Sequence, residues 1–410
     1  MILKSTIEKV YLDQQEKLVT KDIGVIRESM DDIRLDTGLV LIITGIRRCG
    51  KSTLLRQLMN NKISKCWFIN FEDPRLTGME APDLLKLDEI LTDKGEKNWM
   101  VFDEIQNVPE WEKYIRSKQE QGQKILLTGS NASLLSREFG TKLTGRHLSY
   151  ELFPFSYTEY LTMTGEDPGA ASLVNYLESG GFPDFLKYRD EDILFRITED
   201  ILYRDVAVRY GIRKHTVLKE LLIYLITNNG KLFSYNSLKK LFKMGSPNTA
   251  SDYVSYFEDS YLLFTVPKFT ASLKEQIHNP RKVYTIDTGL ANVNSMSFSE
   301  DLGRKLENIV YLHLRKEYRQ IRYYSGSREC DFIVLKKNKA TAAIQVCFEL
   351  NSDNMDRELN GLYEAMDHCN LKRGCLITLE QEDRFLKNKM KIEAIPAWKW
   401  LMERSVNTDH

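Results

Sequence analysis

Apolar positions follow a helical period at the start of the chain and then give way to short continuous runs. The positions with three-to-four spacing are Ile7, Val10, Tyr11, Gln14 and Leu18. They predict an amphipathic helical segment over residues 1–34. Residues 39–44 form an unbroken apolar run, which is typical of a strand buried on both faces of a sheet.

Similar short runs recur through the first 130 residues. They predict strands at 66–71, 99–102 and 124–128, with helical patterns at 81–94 and 110–121 between them. Strands that alternate with helices predict an α/β fold, in which a parallel sheet is covered by helices on both faces.

The pattern changes twice in the remainder of the chain. Residues 155–211 are helical and rich in aromatic side chains, and residues 216–270 predict three helices followed by a hairpin at 261–269. The three helices are expected at 217–228, 234–243 and 247–259. Mixed α/β character returns after about residue 282. Strands are expected there at 321–324, 330–336, 342–348 and 374–378.

Composition restricts the class of protein. A chain of 410 residues has room for two to four domains. Its 42% hydrophobic and 28% charged residues are typical of a globular protein. Lys plus Arg and Asp plus Glu each number 58, so any contact with nucleic acid must come from a local basic patch.

The cellular compartment is inferred from several weaker signals. The six cysteines form no C-x-x-C pair, which favours a reducing compartment. The histidines have no metal-type spacing. The N-terminus has no apolar signal region, and no apolar run approaches the roughly 20 residues of a membrane span. We therefore expect a cytoplasmic protein that does not enter a membrane.

Residues 45–52 fit the pattern G-x-x-x-x-G-K-[ST] at every fixed position. The glycines let the backbone curl so that its N–H groups point at phosphate oxygens, and the following helix offers its positive end. Lys51 is expected to reach the β- and γ-phosphates and Ser52 to bind Mg²⁺. The predicted nucleotide-binding residues are Gly45, Ile46, Arg47, Arg48, Cys49, Gly50, Lys51, Ser52 and Thr53. The alternative is an ordinary glycine-rich turn.

Two later strands also end in polar residues. Asp103 and Glu104 follow an apolar strand, and the carboxyl ends of parallel strands are where ligands bind. Asp103 is expected in the Mg²⁺ shell and Glu104 is expected to activate water. The alternative is a solvated strand end. Ser130 or Asn131 would hydrogen-bond the γ-phosphate or position water, and the alternative is a simple turn.

These elements resemble the AAA+ branch of the P-loop NTPases, with residues 45–52 as Walker A, 101–104 as Walker B and 128–131 as sensor 1. A narrower resemblance, to a prokaryotic ATPase family with a C-terminal domain of unknown function, covers nearly the whole chain. Residues 68–75, 128–132, 144–146, 152–156 and 180–183 carry it. The resemblance implies ATP and Mg²⁺ as ligands. It also implies that Arg146 is an arginine finger or trans sensor, with a surface arginine as the alternative.

Residues 216–270 look like a winged helix. Lys239, Lys240 and Lys243 supply local positive charge, whereas the expected recognition helix at 247–259 has no Lys or Arg and contains acidic residues. DNA contact and a role in packing or in binding a protein partner are therefore both open.

The C-terminal part resembles the restriction-endonuclease-like fold. Glu307 and Asp331 match two of its acidic positions, but Gln345 replaces the second metal carboxylate and Cys347 replaces the lysine. These losses predict an inactive or repurposed domain. Basic residues give this region either a nucleic-acid surface or solvated helix faces. They are Arg304, Lys305, Arg315, Lys316, Arg319, Arg322 and Arg328.

The predicted organisation has five segments. They are an N-terminal helical segment (1–34), a P-loop ATPase core (35–155), a helical lid region (156–215), a winged helix (216–270) and an inactive restriction-endonuclease-like domain (271–410). The predicted catalytic residues are Lys51, Glu104, Asn131 and Arg146, and the predicted metal ligands are Ser52 and Asp103. Cys49 is a further expectation, as an oxidation-sensitive thiol whose pKa is lowered at a helix N-terminus.

The expected function is Mg²⁺-dependent ATP hydrolysis coupled to motion of the winged helix and the C-terminal domain. One alternative is a nucleotide-dependent switch or DNA-binding regulator with little turnover. Another is an ATP-dependent nuclease. A protein partner is also expected, without any indication of its identity.

Overall fold

The computed structural model describes residues 1–20, 23–63, 65–95, 97–130, 146–270, 272–296 and 301–403. The chain divides into two compact units. Unit 1 contains residues 1–153 together with residues 259–261, and unit 2 contains residues 154–258 and 262–410. The five-segment organisation is finer than this division and stays a prediction.

A five-stranded sheet forms the centre of unit 1. Its strands are β1 (Val40–Thr44), β2 (Cys66–Asn70), β3 (Trp99–Asp103), β4 (Lys124–Gly129) and β5 (His147–Glu151). The order is β2-β3-β4-β1-β5, and every neighbouring pair is parallel, which confirms the predicted parallel α/β sheet. Every residue of β1 and β3 is buried, as expected of strands with both faces covered. All strands therefore end at one carboxyl edge.

The helices of unit 1 are α1 (Lys4–Thr20), α2 (Lys51–Asn61), α3 (Ala81–Asp93) and α4 (Trp111–Glu120). The predicted helical segment at 1–34 is too long, because the helix ends at Thr20. Gly24 then has a φ of +59°, and Arg27 is extended, so the described chain after residue 22 does not continue a helix.

Helix α1 covers the edge of the sheet. The Gln14 side chain accepts a hydrogen bond from the Asn70 N–H at 2.7 Å and donates to the Asn70 carbonyl oxygen at 3.1 Å. Gln15 donates to the Phe68 carbonyl oxygen at 2.8 Å. These amides replace the neighbouring strand that β2 lacks, and so satisfy exposed backbone groups of an edge strand.

Unit 2 is mixed helix and sheet. Its helices are α5 (Tyr157–Thr164), α6 (Ala170–Ser179), α7 (Pro183–Tyr188), α8 (Glu191–Asp200), α9 (His215–Thr227), α10 (Tyr235–Leu241), α11 (Pro247–Asp259, whose last residue belongs to unit 1), α12 (Leu273–His278), α13 (Thr288–Asn294), α14 (Leu302–Glu317), α15 (Met355–His368) and α16 (Ala397–Met402). A π-helical segment, Ile201–Val208, follows α8. None of the helices within the described ranges is long and apolar enough to cross a membrane.

The described residues of unit 2 form two sheets. The first contains β6 (Leu232–Phe233), β7 (Leu263–Pro267) and β8 (Arg281–Thr285), in the order β6-β8-β7. The second contains β9 (Gln320–Ser325), β10 (Glu329–Lys336), β11 (Lys339–Val346), β12 (Arg373–Thr378), β13 (Asp383–Lys387) and β14 (Met390–Pro396), in the order β13-β14-β12-β11-β10-β9.

The predicted hairpin at 261–269 is wrong. That stretch contains the single strand β7, which pairs antiparallel with β8. The run Leu263–Pro267 contains no Gly, Asn, Asp or Ser, and its single turn-type residue, Pro267, ends the strand, so the strand's partner comes from later in the sequence.

A close backbone contact holds the start of the helical region of unit 2. Gly181 and Phe155 pair through a hydrogen bond of 2.7 Å from the Phe155 N–H to the Gly181 carbonyl oxygen. A Cβ on Gly181 would lie 2.3 Å from the Phe155 carbonyl oxygen. The Gly181 N–H donates to the buried Asp287 carboxylate at 2.6 Å. Only glycine leaves room for this approach.

Candidate functional site

The glycine-rich loop lies at the carboxyl edge of the unit 1 sheet, between Thr44 of β1 and Lys51 of α2. Gly45 and Gly50 both have positive φ, +153° and +100°. A Cβ on Gly45 would lie 2.1 Å from the Leu152 carbonyl oxygen. Backbone conformation therefore favours glycine at both positions, and lack of space demands it at the first.

Lys51 lies against this loop and is only 5% exposed. Its Nζ donates hydrogen bonds to the carbonyl oxygens of Gly45 and Ile46, each at 3.1 Å. The same Nζ lies 3.7 Å from Oε1 of Glu104. The loop thus encloses an ammonium group, and the fold brings Lys51 and Glu104 together from two different elements.

Asp103 ends β3 and is fully buried. Its Oδ1 accepts a hydrogen bond from the Thr128 hydroxyl at 2.5 Å, whereas its Oδ2 is buried without a hydrogen-bond partner in the described part of the chain. Burial and the neighbouring charge of Glu104 raise the pKa of Asp103, while Thr128, Ser52 and Lys51 oppose that rise. A buried carboxylate oxygen without a donor is unfavourable unless a cation compensates it.

Ser52 and Asp103 line the same cavity, which has a volume of about 420 Å³. Mg²⁺ binds hard oxygen ligands, takes one or two carboxylates and usually keeps several waters. A serine hydroxyl, a carboxylate oxygen that receives no hydrogen bond from the residues described, and space for water fit that ion. Ser52 and Asp103 are therefore the residues that would hold it.

Glu104 has a backbone conformation uncommon for its type, with φ at +54°. Its N–H donates to the Thr128 hydroxyl oxygen at 3.0 Å, and its Oε2 accepts a hydrogen bond from the Gln106 amide. Thr128, in β4, therefore contacts both acids at once. The sequence placed Thr128 in sensor 1 but did not indicate this link. Ser130 is buried, and Asn131 lies outside the described residues.

Arg27 is a residue of this site that the sequence did not reveal. It is 4% exposed, and its guanidinium donates to the carbonyl oxygens of Cys49 and Phe153, each at 2.7 Å. Its own N–H donates to the Gln57 side chain in α2. Arg27 thus anchors the glycine-rich loop through the Cys49 carbonyl oxygen. Nothing in the spacing of residues 1–34 distinguishes it from a surface arginine.

The expectation for Cys49 is wrong. Its side chain is fully buried and donates to the Leu152 carbonyl oxygen at 3.5 Å. Burial raises the pKa of this thiol, more than the nearby Lys51 and Arg27 lower it. Oxidation requires an accessible thiolate, and Cys49 offers neither accessibility nor a low pKa.

The remaining loop residues have different surroundings. Ile46 is buried, Arg48 is exposed and Thr53 is half-buried. Arg47 donates to Glu72 at 2.9 Å. The Ile46 side chain is therefore directed into the protein, so only the backbone of this residue would be available to a nucleotide.

Arg146 lies at the amino edge of the sheet. Its carbonyl oxygen accepts from the Val40 N–H, and its exposed side chain lies 3.8 Å from Glu120. Since β5 runs parallel to β1, the five residues of β1 separate Arg146 from the loop by ~16 Å at ~3.3 Å per residue. The structure does not bring Arg146 to the loop of its own chain, and a role towards another chain stays a prediction.

The geometry of unit 1 is that of a P-loop ATPase domain. In agreement, the family model described as "AAA domain" matches residues 37–161, and a domain of unknown function matches residues 170–301. The chain is 35% identical to an uncharacterized protein of Methanocaldococcus jannaschii over 97% of this chain and 95% of that one. It is 31% identical to an uncharacterized protein of Haemophilus influenzae, over 77% and 84%. The chain therefore belongs to the same family as these two proteins, and its own residues 37–161 match the AAA-domain model.

Solved structures give more distant likenesses. The Walker-type ATPase paby2304 of Pyrococcus abyssi is 16% identical, with 66% of this chain and 95% of that chain covered and a TM-score of 0.38. The Holliday junction branch migration motor RuvB of Thermotoga maritima is 17% identical, with 64% and 94% covered and a TM-score of 0.28.

Proposed function

We propose that the protein binds ATP with Mg²⁺ in unit 1 and hydrolyses it. The observation that carries this proposal is the buried Asp103 Oδ2, which has no hydrogen-bond donor among the described residues, on a cavity that Ser52 and Asp103 both line. Lys51 and Glu104 lie next to each other at the same edge of the sheet.

The roles of the residues follow from their positions. The loop N–H groups and Lys51 would bind the β- and γ-phosphates, with Lys51 exchanging its bonds to the Gly45 and Ile46 carbonyls for phosphate oxygens. Mg²⁺, when held by Ser52 and Asp103, would neutralise charge on the phosphates. Glu104 would accept a proton from the attacking water, and Thr128 would hold Glu104 and Asp103 in fixed positions.

Substitution Glu104→Gln separates binding from hydrolysis. The variant keeps the shape of the side chain but loses the base, so we expect ATP affinity to remain and steady-state turnover to fall by about 10²-fold or more. Glu89→Gln, which removes an exposed carboxylate on α3, is the matched control and should leave turnover unchanged. Full turnover in Glu104→Gln would exclude Glu104 as the base. Negligible turnover in the unsubstituted protein would favour the nucleotide-dependent switch.

We further propose that hydrolysis is coupled to unit 2 through Arg27. Its guanidinium joins the Cys49 carbonyl of the loop to that of Phe153, the last residue before the chain enters unit 2 at Pro154. If phosphate binding changes the conformation of the loop, Arg27 would transmit that change to Phe153, where the chain passes from unit 1 to unit 2.

For unit 2 we propose a winged helix followed by a restriction-endonuclease-like fold. The support is the succession α9, α10 and α11 with a three-stranded antiparallel sheet, followed by a mixed sheet flanked by α14 and α15. Helix α11 contains Asp252, Glu258 and Asp259 and no Lys or Arg, which favours a protein partner over DNA. We therefore expect the ATPase rate to be the same with and without duplex DNA. Stimulation by DNA would favour the DNA-binding alternative.

A further inference from the structure

A second cluster of charged side chains lies in unit 2, on the wall of a cavity of about 920 Å³. At its centre is Lys282 of β8, which is 5% exposed. Its Nζ lies 2.8 Å from Oε1 of Glu307 in α14 and 2.7 Å from Oδ1 of Asp331 in β10. One ammonium group therefore bridges the two acids that the sequence resemblance assigns to a metal site.

The oxygens of these two acids have further donors. Oε1 of Glu307 also accepts from the Tyr284 hydroxyl at 2.6 Å. Oδ2 of Asp331 accepts from the Val346 N–H at 2.9 Å. The ammonium group is therefore part of a hydrogen-bonded arrangement whose backbone and side-chain donors come from two elements, β8 and β11.

Gln345 and Glu358, which line the same cavity, also have hydrogen-bond partners within the protein. Gln345 accepts from the Asp331 N–H through Oε1 and donates to Oε2 of Glu358 at 2.6 Å through Nε2. Oε1 of Glu358 accepts from the Arg357 guanidinium at 3.0 and 2.6 Å. Glu358, in α15, is therefore the carboxylate that lies next to Gln345, and its cationic partner is Arg357.

Lys282 remains charged in these surroundings. Burial lowers the pKa of Lys282, but the charges of Asp331 and Glu307 and the hydrogen bonds to both outweigh burial and raise it above its ordinary value. A metal ion between Glu307 and Asp331 would have to displace the buried Lys282 ammonium from two short ion pairs. Otherwise it would lie beside that ammonium, and the two positive charges would repel each other.

We propose that Lys282 is a built-in cation that occupies the position of a divalent metal ion between Glu307 and Asp331. While the lysine is present, this cluster takes no Mg²⁺ or Mn²⁺, and it does not support metal-dependent cleavage of phosphodiesters. The inference concerns unit 2 alone and is independent of the proposed ATPase function.

The test measures Mn²⁺ binding by electron paramagnetic resonance in the full chain without nucleotide. The parent protein contains Ser52→Ala and Asp103→Asn, which remove the candidate metal ligands of unit 1. We expect no Mn²⁺ at the cluster in this parent. Adding Lys282→Met removes the ammonium that pairs with the carboxylates of Glu307 and Asp331. We therefore expect this substitution to increase the Mn²⁺ affinity at least about tenfold.

Two variants provide the controls. Lys282→Arg keeps a cation at the site and should bind Mn²⁺ no better than the parent, and adding Asp331→Asn to Lys282→Met should abolish the new binding. The proposal is overturned if the parent binds Mn²⁺ in a way that Asp331→Asn removes. It is equally overturned if folded Lys282→Met gains no Mn²⁺ site.

Thermal unfolding gives a second readout for variants of low stability. Mn²⁺ should raise the melting temperature of the Lys282→Met variant and leave that of the parent unchanged, because only the variant has a vacated cation position. An equal response of both proteins contradicts the proposal.

Discussion

Arg27, which lies outside the motifs, and Thr128, the first residue of sensor 1, show how single side chains organise the candidate ATPase site. Arg27 joins the glycine-rich loop to Phe153, and Thr128 contacts both Asp103 and Glu104. Both contacts connect residues far apart in the sequence. Neither contact has a spacing signal, so the motifs identified the reacting groups and included Thr128, but they did not indicate the hydrogen bonds that Arg27 and Thr128 make.

Replacing Arg27 with alanine tests the support of the loop. The change removes two charge-assisted hydrogen bonds to buried carbonyl oxygens, each worth about 1.5–3 kcal/mol, so we expect a loss of about 3 kcal/mol or more in the free energy of unfolding. ATP affinity should fall as well, because the loop carbonyl at Cys49 loses its anchor. Urea unfolding and ATP titration measure the two effects.

Arg34→Ala is the control for this change, because Arg34 is exposed and belongs to the same N-terminal segment. It should alter neither the unfolding free energy nor the ATP affinity. An Arg27→Ala variant as stable as the unsubstituted protein would show that the guanidinium does not hold the loop.

At the scale of elements, the sequence predicted those strands whose apolar residues are consecutive. β1 to β4 coincide with apolar runs, since both of their faces are covered by helices. β5 was missed because all five of its residues are only half-buried and its sequence alternates without an apolar run. α1 was predicted to extend too far because periodicity does not register the turn at Gly24.

Pairing over long distances limited the prediction in unit 2. The partner of β7 is β8, and the sequence between these two strands contains no pattern that predicts their pairing. For the same reason Lys282 was not associated with Glu307 and Asp331, because the ammonium comes from an earlier strand than the one where the resemblance places the lysine.

Substitution Gly181→Ala tests the close contact in the helical region. The new Cβ would lie 2.3 Å from the Phe155 carbonyl oxygen, so the backbone must move apart. We expect a loss of about 1–3 kcal/mol in the free energy of unfolding, as for overpacked interiors. Gly245→Ala, where a Cβ meets nothing within 4 Å, should change it by less than about 0.5 kcal/mol. Equal stabilities of the two variants would contradict the contact.

At the scale of the whole molecule, the two units carry two charged centres of different character. In unit 1, Asp103 has an oxygen for which the described residues supply no donor, and it lines a cavity together with the Ser52 hydroxyl, which suits a metal ion. In unit 2, Glu307 and Asp331 already share an ammonium group. We therefore propose nucleotide chemistry for unit 1 and a polar cluster without a metal ion for unit 2.

The most direct test of the central claim is calorimetric titration of the full chain with ATP and Mg²⁺, compared with Lys51→Ala. We expect the unsubstituted protein to bind ATP and Lys51→Ala to bind it at least about tenfold more weakly, because the substitution removes the cation that would contact the phosphates. Lys113→Ala, an exposed lysine on α4, should bind as the unsubstituted protein does. Absence of ATP binding, or equal affinity of Lys51→Ala, would contradict the account.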